Sequence, residues 1–274
     1  SDYDLQDVTN ILLIGVDNDN LAGMDELGNA DGIMLLTINK NTQELIMTSV
    51  LRDTRVEVPN DYGMKITSTY HKGGVPLLRE VFELNFNIPV DNYILVNYLN
   101  VVDIIDALGG VDIELTADEI KAMSGKISNI DKLAGAEQGS NAISADEAGL
   151  LHLNGVQTAA YMRIRPSSSG DDRGRTERAR KVVAQVFDKV KGMSGGELLT
   201  FANGFLPNIE TDMTDSELMT LAMNSEMLMG YTRVSDRIPH DEDYTSSNDG
   251  NYYVLPDYDT VNEKLYESVY EGVR

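Results

Sequence analysis

Apolar residues come first in compact runs and later at helical spacing. Residues 10–17 form a compact apolar run ending in acids and asparagines, which predicts a buried strand leading into a loop. Beyond a Gly/Asn/Asp-rich loop, residues 32–39 and 44–50 predict two more strands, with a hairpin turn at Lys40-Asn41-Thr42-Gln43. Residues 54–58 predict a short strand stopped by Pro59. Leu77, Leu78, Val81, Phe82 and Leu84 give residues 76–85 the apolar face of a helix. A strand at 93–96, an amphipathic helix at 100–108 capped by Gly109-Gly110, and a strand at 111–115 follow. This succession predicts a βαβ-like layout, with helices packed on a mixed sheet.

Between Thr116 and Gly155 the helical pattern is broken by Gly125, Gly135, Gly139 and Ser/Asn clusters. It predicts short helices and a mobile excursion of the kind that forms a lid. Residues 155–161 predict a helix, 162–165 an extended segment, and 176–191 a long amphipathic helix. Helices near 196–205 and 214–228, strands at 233–238 and 252–255, and a helix at 260–270 complete the pattern. No internal repeat or clean linker interrupts the 274 residues. A single domain, 1–274, is therefore expected, with a core at about 10–191 and a helical and small-strand part at 192–274.

Charge changes this picture more than composition does. Against 45 acids stand only 22 bases, a formal net charge of −23, so the overall field repels nucleic acid and anionic lipid. An anionic ligand has to be held by a local basic cluster. The absence of cysteine removes disulfides, thiolate metal sites and cysteine nucleophiles. The longest apolar runs, such as 11–16, are far too short to cross a bilayer, and no signal peptide opens the chain. The polar start, Ser1-Asp2-Tyr3-Asp4, is compatible with a soluble portion of a longer precursor.

Six of the twelve arginines fall between Arg163 and Arg180. In an extended segment Arg163 and Arg165 would point to one face, ~7 Å apart. Gly170, Asp171, Asp172 and Gly174 supply turn chemistry before a helix expected to start near Thr176. Arg175 and Arg178, three apart, would lie side by side there. Arginine opposes the macrodipole at a helix N-terminus, and a bound diphosphate would resolve that conflict through guanidinium forks and backbone N–H groups. The plainer reading is a surface salt-bridge network with Asp171, Asp172 and Glu177.

Asp17 ends the first strand and Asp31 opens the next, so both stand at strand ends, where ligands gather. Together they could hold a hard divalent cation against phosphate oxygens, although acids at such places are also ordinary turn formers. Arg52 and Asp53 occupy another strand junction, where an intra-turn ion pair is the plainer reading. Lys65 introduces the next helical stretch. His71, His152 and His240 share no ligand spacing, and His240-Asp241-Glu242-Asp243 reads as a solvated acidic loop. The sequence contains neither a Gly-rich phosphate loop nor a nucleophile-elbow serine.

In their order, these segments resemble the LytR-CpsA-Psr family of cell-wall glycopolymer ligases. The resemblance runs from Ile11-Leu12-Leu13-Ile14-Gly15-Val16-Asp17 through Ala30-Asp31-Gly32, Leu51-Arg52-Asp53-Thr54 and Lys65-Ile66-Thr67. Asp106-Ala107-Leu108-Gly109-Gly110-Val111 and Leu153-Asn154-Gly155 follow. Its strongest piece is Tyr161-Met162-Arg163-Ile164-Arg165 with Asp172-Arg173-Gly174-Arg175-Thr176-Glu177-Arg178-Ala179-Arg180. The resemblance implies a three-layer α/β/α sandwich around a mixed central β-sheet, with an apolar channel for a polyprenyl chain. It implies a phosphotransferase at the extracellular face of the cytoplasmic membrane in a Gram-positive type envelope, held by an N-terminal anchor outside this chain. The implied reaction moves a glycopolymer phosphate from a polyprenyl-pyrophosphate carrier, such as one bearing teichoic acid, to a peptidoglycan hydroxyl.

By matching position, Asp17 and Asp31 would hold Mg²⁺ (or Mn²⁺). Arg52, Arg163, Arg165 and Arg175 would clamp the diphosphate, with Lys65 and Arg178 beside them. Arg52, Asp31 and Arg175 would carry catalysis, and Asp31 or Asp53 is a candidate base. Two positions depart from the family pattern: Asn29 stands where an arginine is usual, and Ala179 where glutamine is favoured. These departures predict altered donor preference or weakened activity. Two other functions fit the same pocket: a non-catalytic polyprenyl-pyrophosphate scaffold, and a pyrophosphatase using water as acceptor.

Overall fold

A computed structural model describes residues 7–17, 27–165, 172–206, 209–248 and 250–272. The polar start, the expected loop after the first strand, Gly170 and Asp171 lie outside the described residues. In chain order the elements begin with β1 (Val8–Asp17), β2 (Asn29–Asn39), β3 (Glu44–Val50), β4 (Arg55–Val58) and β5 (Asp61–Lys65). Next come α1 (Ile66–Phe86), β6 (Asn92–Asn97), α2 (Tyr98–Ala107), β7 (Val111–Leu115) and α3 (Ala117–Leu133). They are followed by β8 (Gly149–Leu153), α4 (Gly155–Arg163), α5 (Asp172–Lys191), α6 (Gly195–Phe205) and β9 (Glu210–Thr211). The chain continues through α7 (Asp215–Met223), α8 (Ser225–Met229) and β10 (Thr232–Ile238). The last elements are β11 (Tyr244–Asn248), β12 (Tyr252–Pro256) and α9 (Tyr258–Tyr266).

These elements form two compact units, Ser1–Leu95 with Glu210–Arg274, and Val96–Ile209. The first unit is built on a mixed sheet in the order β10-β3-β2-β1-β6-β9. β1, β2 and β3 are antiparallel neighbours, whereas β10 runs parallel to β3. Leu12, Ile14, Val16 and Leu35 pack with Leu78, Phe82 and Phe86 of α1 and with Val261 and Leu265 of α9. Residues of the opposite parity, Ile11, Met34, Leu36 and Met47, are buried as well. Both faces of the sheet are therefore withdrawn from water, as the central layer of an α/β fold requires, and this explains the near-continuous apolar runs. Fully burying one such side chain is worth roughly 1.5–3 kcal/mol. The expected turn between β2 and β3 is present: Asn39 Oδ1 accepts from the N–H groups of Asn41 and Thr42, each at 3.0 Å.

Helix α1 starts ten residues before the expected Pro76. Gly73 and Gly74 interrupt it, and Gly74 has φ +65°. Those glycines conceal the first segment in the sequence. Pro76 then sits in the opening turn of the second segment, where its missing N–H does no harm.

The second unit differs more from its sequence pattern. β7 pairs with β8 in a separate antiparallel hairpin, so β6, α2 and β7 do not form a βαβ unit of one sheet. Burial along β7 alternates strictly, the mark of a strand with one exposed face. The expected lid is instead α3, a 17-residue helix running through Gly125. Ile120, Met123, Ile127 and Ile130 give it a buried stripe, and the Thr116/Glu119 capping box starts it. Together these outweigh the ~1 kcal/mol cost of one interior glycine. At the start of α4, Gly155 meets α2 so closely that a Cβ would stand 2.2 Å from the Val102 carbonyl oxygen. Its N–H donates to Asp106 Oδ1 at 2.7 Å, which explains why these two parts of the motif occur together.

Smaller differences appear near the C-terminus. The helix expected at 214–228 is two short ones separated at Asn224, and the expected final helix begins at Tyr258 and ends in a π-helical turn, Glu267–Glu271.

Candidate functional site

In the first unit the site begins with an irregularity in the sheet. Along β1 and β2, Gly15 faces Gly32 but Val16 faces Ala30, leaving Asp31 as the extra residue of a β-bulge. A bulge re-aims the side chain it carries. Here Asp31 Oδ1 accepts from Arg52 Nη1 at 2.6 Å. Arg52 Nε lies 4.0 Å from Asp53 Oδ2, and the other Asp53 oxygen is 2.7 Å from Lys65 Nζ. Four of the expected residues thus form an alternating row, Asp31, Arg52, Asp53 and Lys65, all partly buried, with side-chain exposures of 11–28%.

The backbone beneath the row is held from several sides. Leu51 N–H donates to Ile238 O of β10 at 3.0 Å, and Val254 N–H of β12 donates to Asp53 O at 3.0 Å. The start of α1 supplies two more donors, Thr67 N–H to Arg52 O at 3.2 Å and Ile66 N–H to Thr54 O at 2.8 Å. Fixed backbone of this kind lets charged side chains be aimed before a ligand arrives. The row also touches an aromatic that no sequence pattern singles out. Lys65 Nζ and Arg55 Cζ lie 5.6 and 5.4 Å from the Tyr253 ring centroid.

Asp17 closes β1 opposite Asn29, the exposed first residue of β2. Asp17 and Asp31 therefore occupy the same end of two paired strands. Two carboxylates form an all-oxygen donor set, which suits a hard divalent cation such as Mg²⁺.

The arginines of the second unit occupy unequal settings. Arg163 is the last residue of α4, not part of an extended pair with Arg165. Ile164 leaves the helix with φ −69° and ψ 153°, so Arg163 is buried while Arg165 is exposed. The alternation that would have placed the two on one face is absent. Apolar packing of Ala159, Ala160 and Tyr161 carries the helix through Arg163, whose guanidinium lies 4.5 Å from the Tyr98 ring centroid.

Helix α5 begins at Asp172, four residues before the expected Thr176. An acid thus stands in its first turn, with Arg175 Nη2 3.5 Å from Asp172 Oδ1. Much of the conflict with the macrodipole is thereby removed without a ligand. Arg175, Arg178 and Val182 lie on the buried side of α5. Arg178 is 3% exposed and donates from Nη2 to Ile164 O at 2.6 Å. Burial lowers its pKa from the usual arginine range, against the opposing pull of Tyr161 and Glu119. Arg178 ties the segment after α4 to α5, a bracing role. Ala179, one position along, is half-buried.

The acidic segment after β10 is not a solvated loop. His240 Nε2 lies 2.8 Å from Asp236 Oδ1, and Nδ1 lies 3.1 Å from Asp243 Oδ2. Asp243 is only 5% exposed. His240, Glu242 and Asp243 could together offer three ligand atoms to a metal. Lys264 Nζ already binds this group, 2.7 and 2.8 Å from the Asp243 oxygens and 3.3 Å from Glu242. An ammonium therefore supplies the positive charge that a cation would bring.

The LytR_cpsA_psr family profile matches residues 1–268, and the chain belongs to that family. It is 32% identical over 232 residues to the polyisoprenyl-teichoic acid–peptidoglycan teichoic acid transferase TagU of Oceanobacillus iheyensis, covering 81% of this chain and 64% of that protein. With TagV of Bacillus subtilis, which carries the same transferase description, it shares 25% identity over 267 residues, covering 95% of this chain and 63% of that protein. The chain thus spans just under two thirds of the length of these relatives. Among solved structures, the LytR-CPS2A-psr family protein YwtF (TagT) with bound octaprenyl pyrophosphate lipid superposes with a TM-score of 0.69 at 20% identity. That match covers 96% of this chain and 91% of YwtF, and it establishes a shared fold.

Proposed function

We propose that this protein is a phosphotransferase that moves a glycopolymer from a polyprenyl-pyrophosphate carrier to a hydroxyl of peptidoglycan. The observation that carries the reading is the Arg52–Asp31 pair at the β-bulge, continued through Asp53 to Lys65. It sets two cations on a fixed backbone beside a carboxylate at a strand end. The transferase descriptions of TagU and TagV, and the octaprenyl pyrophosphate bound by YwtF, support the choice of substrates and an apolar channel for the lipid.

In the proposed step the acceptor hydroxyl oxygen attacks the phosphorus that bears the glycopolymer. A new P–O bond forms, the bond to the bridging oxygen breaks, and polyprenyl phosphate leaves with that electron pair. Phosphoryl transfer needs aligned groups and neutralised oxygens more than a covalent nucleophile. Arg52 and Lys65 would stabilise the charge on the diphosphate; Arg163, Arg165 and Arg175 are the arginines of the second unit suited to bind diphosphate oxygens. Arg178 would keep the Arg163–Arg165 segment in place. Asp31 and Asp53 are the carboxylates of the row suited to accept the hydroxyl proton. Asp17 and Asp31 would hold Mg²⁺ or Mn²⁺, which when bound neutralises phosphate oxygens. The acceptor polymer puts the protein at the outer face of the cytoplasmic membrane. Among the described residues, no helix is long and apolar enough to cross a membrane.

The test incubates the protein with a lipid-linked donor, Mg²⁺ and a peptidoglycan oligosaccharide, and measures joined product. Product that is lost in Arg52→Ala and Asp31→Asn supports the transferase. Donor binding without turnover would replace it with a scaffold, and phosphate release without an acceptor would replace it with a pyrophosphatase.

A further inference from the structure

β4 and β5 pair with Arg55 opposite Lys65 and Val56 opposite Met64, after which the register shifts to Val58 opposite Asp61. The mismatch bends the small sheet at Glu57, Tyr62 and Gly63. Asn85 of α1 secures the bend: its Oδ1 accepts from Glu57 N–H at 2.8 Å and its Nδ2 donates to Glu57 O at 2.9 Å. Tyr62, a large aromatic on β5, is thereby turned outward and is 91% exposed.

Beside it lies a cavity of about 520 Å³ lined by Arg55, Glu57, Asp61, Tyr62, Gly63 and Tyr258, among others. That volume falls within the range of small-ligand sites. Two features show that the cavity wall is fixed. A Cβ on Gly63 would meet Val56 O at 2.9 Å and Arg55 Nε at 3.3 Å, so glycine leaves room for the guanidinium. Tyr258 donates its hydroxyl to Arg55 O at 2.6 Å, and Phe86 packs against its ring at 5.9 Å between centroids.

We infer that this cavity is the subsite for the acceptor sugar, a neutral polyhydroxylated saccharide of the peptidoglycan glycan type; the inference rests on the transferase reading. Its lining mixes Arg55 with Glu57 and with Asp61, which Lys72 pairs, so its charges balance and it has no net preference for an anion. Donors and acceptors stand together with an outward-facing tyrosine, the combination that suits hydroxyl and acetamido groups on a ring with apolar faces. A polyanionic polymer is disfavoured here by the −23 charge of the chain. Position supplies the remaining argument. Arg55 in the cavity wall and Lys65 in the charged row are cross-strand partners that share the Tyr253 ring. A sugar in the cavity therefore lies one side chain away from the proposed phosphate-binding row.

The experiment titrates the protein, Tyr62→Ala and Glu57→Gln with a tetramer of β-1,4-linked N-acetylglucosamine, using calorimetry. The same samples are titrated separately with farnesyl diphosphate. The expected result is tetramer binding that weakens roughly fivefold in Tyr62→Ala and also falls in Glu57→Gln, with farnesyl diphosphate affinity unchanged. Farnesyl diphosphate binding without tetramer binding, or tetramer affinity indifferent to both substitutions, would overturn the subsite and leave the transferase reading standing. Failure of the unsubstituted protein to bind farnesyl diphosphate would overturn the transferase reading itself.

Discussion

Arg52 donates to Asp31 at 2.6 Å across 21 positions of sequence, linking a β-bulge to the segment that follows β3. Each residue holds the other in place, so replacing either should disturb both. Arg52→Ala removes a fork that could engage two phosphate oxygens, and transfer should fall by about a hundredfold or more. Arg52→Lys should recover little of it, because a point charge does not reproduce the fork. Urea denaturation should find both variants within about 2 kcal/mol of the parent. Near-parental transfer by either would remove Arg52 from the mechanism.

Arg175 and Arg178 should separate function from stability. Arg178→Ala deprives Ile164 O of its buried donor and should cost roughly 1–3 kcal/mol, read as a lower unfolding midpoint. Arg175→Ala loses a 3.5 Å contact to Asp172 and should be better tolerated. Its affinity for farnesyl diphosphate should nevertheless drop about tenfold. If the two variants exchanged these phenotypes, the roles assigned here would be reversed.

Gly155 is a packing prediction. A Cβ 2.2 Å from Val102 O would force α2 and α4 apart, so Gly155→Ala should destabilise the protein by about 3 kcal/mol. Gly125→Ala, where nothing lies within 4 Å, should stabilise it by a few tenths to about 1 kcal/mol. Chemical denaturation of the pair tests both signs at once.

His240 predicts a pH dependence. Burial disfavours its charged form, but hydrogen bonds to Asp236 and Asp243 prevail and raise the pKa above its ordinary 6.5. The charged groups around it are Asp236, Asp243 and Lys264, with Glu242 bound to the same lysine. Because the folded pKa exceeds the unfolded one, the stabilisation is complete below about 6.5 and is lost as pH rises through the folded value. The stability gap between the parent and His240→Gln should therefore narrow as the pH rises above about 6.5. A gap that stayed constant or widened would refute the assignment.

Local order was legible where a single element decided it. The apolar runs of β1, β2 and β3 announce buried strands, and Lys40-Asn41-Thr42-Gln43 marks the turn between the last two. Gly125 and the Ser/Asn clusters misled because a buried stripe at Ile120, Met123, Ile127 and Ile130 outweighs them. Arg163 and Arg165 misled for a related reason: alternation in sequence has no geometric meaning once a helix ends between them. The link from Asp31 to Arg52 was hidden because it depends on a register shift, and shifts leave no periodic trace. Tyr253 was hidden because its neighbours Arg55 and Lys65 lie almost two hundred positions away in the chain.

The pairing of Leu95 with Glu210 brings the two ends of the second unit's segment together on neighbouring strands of the sheet. The whole of that unit is therefore spelled out as one uninterrupted stretch, while the sheet it interrupts waits for its last strands. During synthesis α2 through α6 emerge before β9, β10 and α9 exist, so the second unit can close on its own contacts first. The first unit must then join segments from both parts of its sequence, a long-range closure of the kind that slows folding. The charged row, braced by Ile238 and Val254, is consequently among the last parts to acquire its final shape, and truncated chains should lack it even where the second unit has formed.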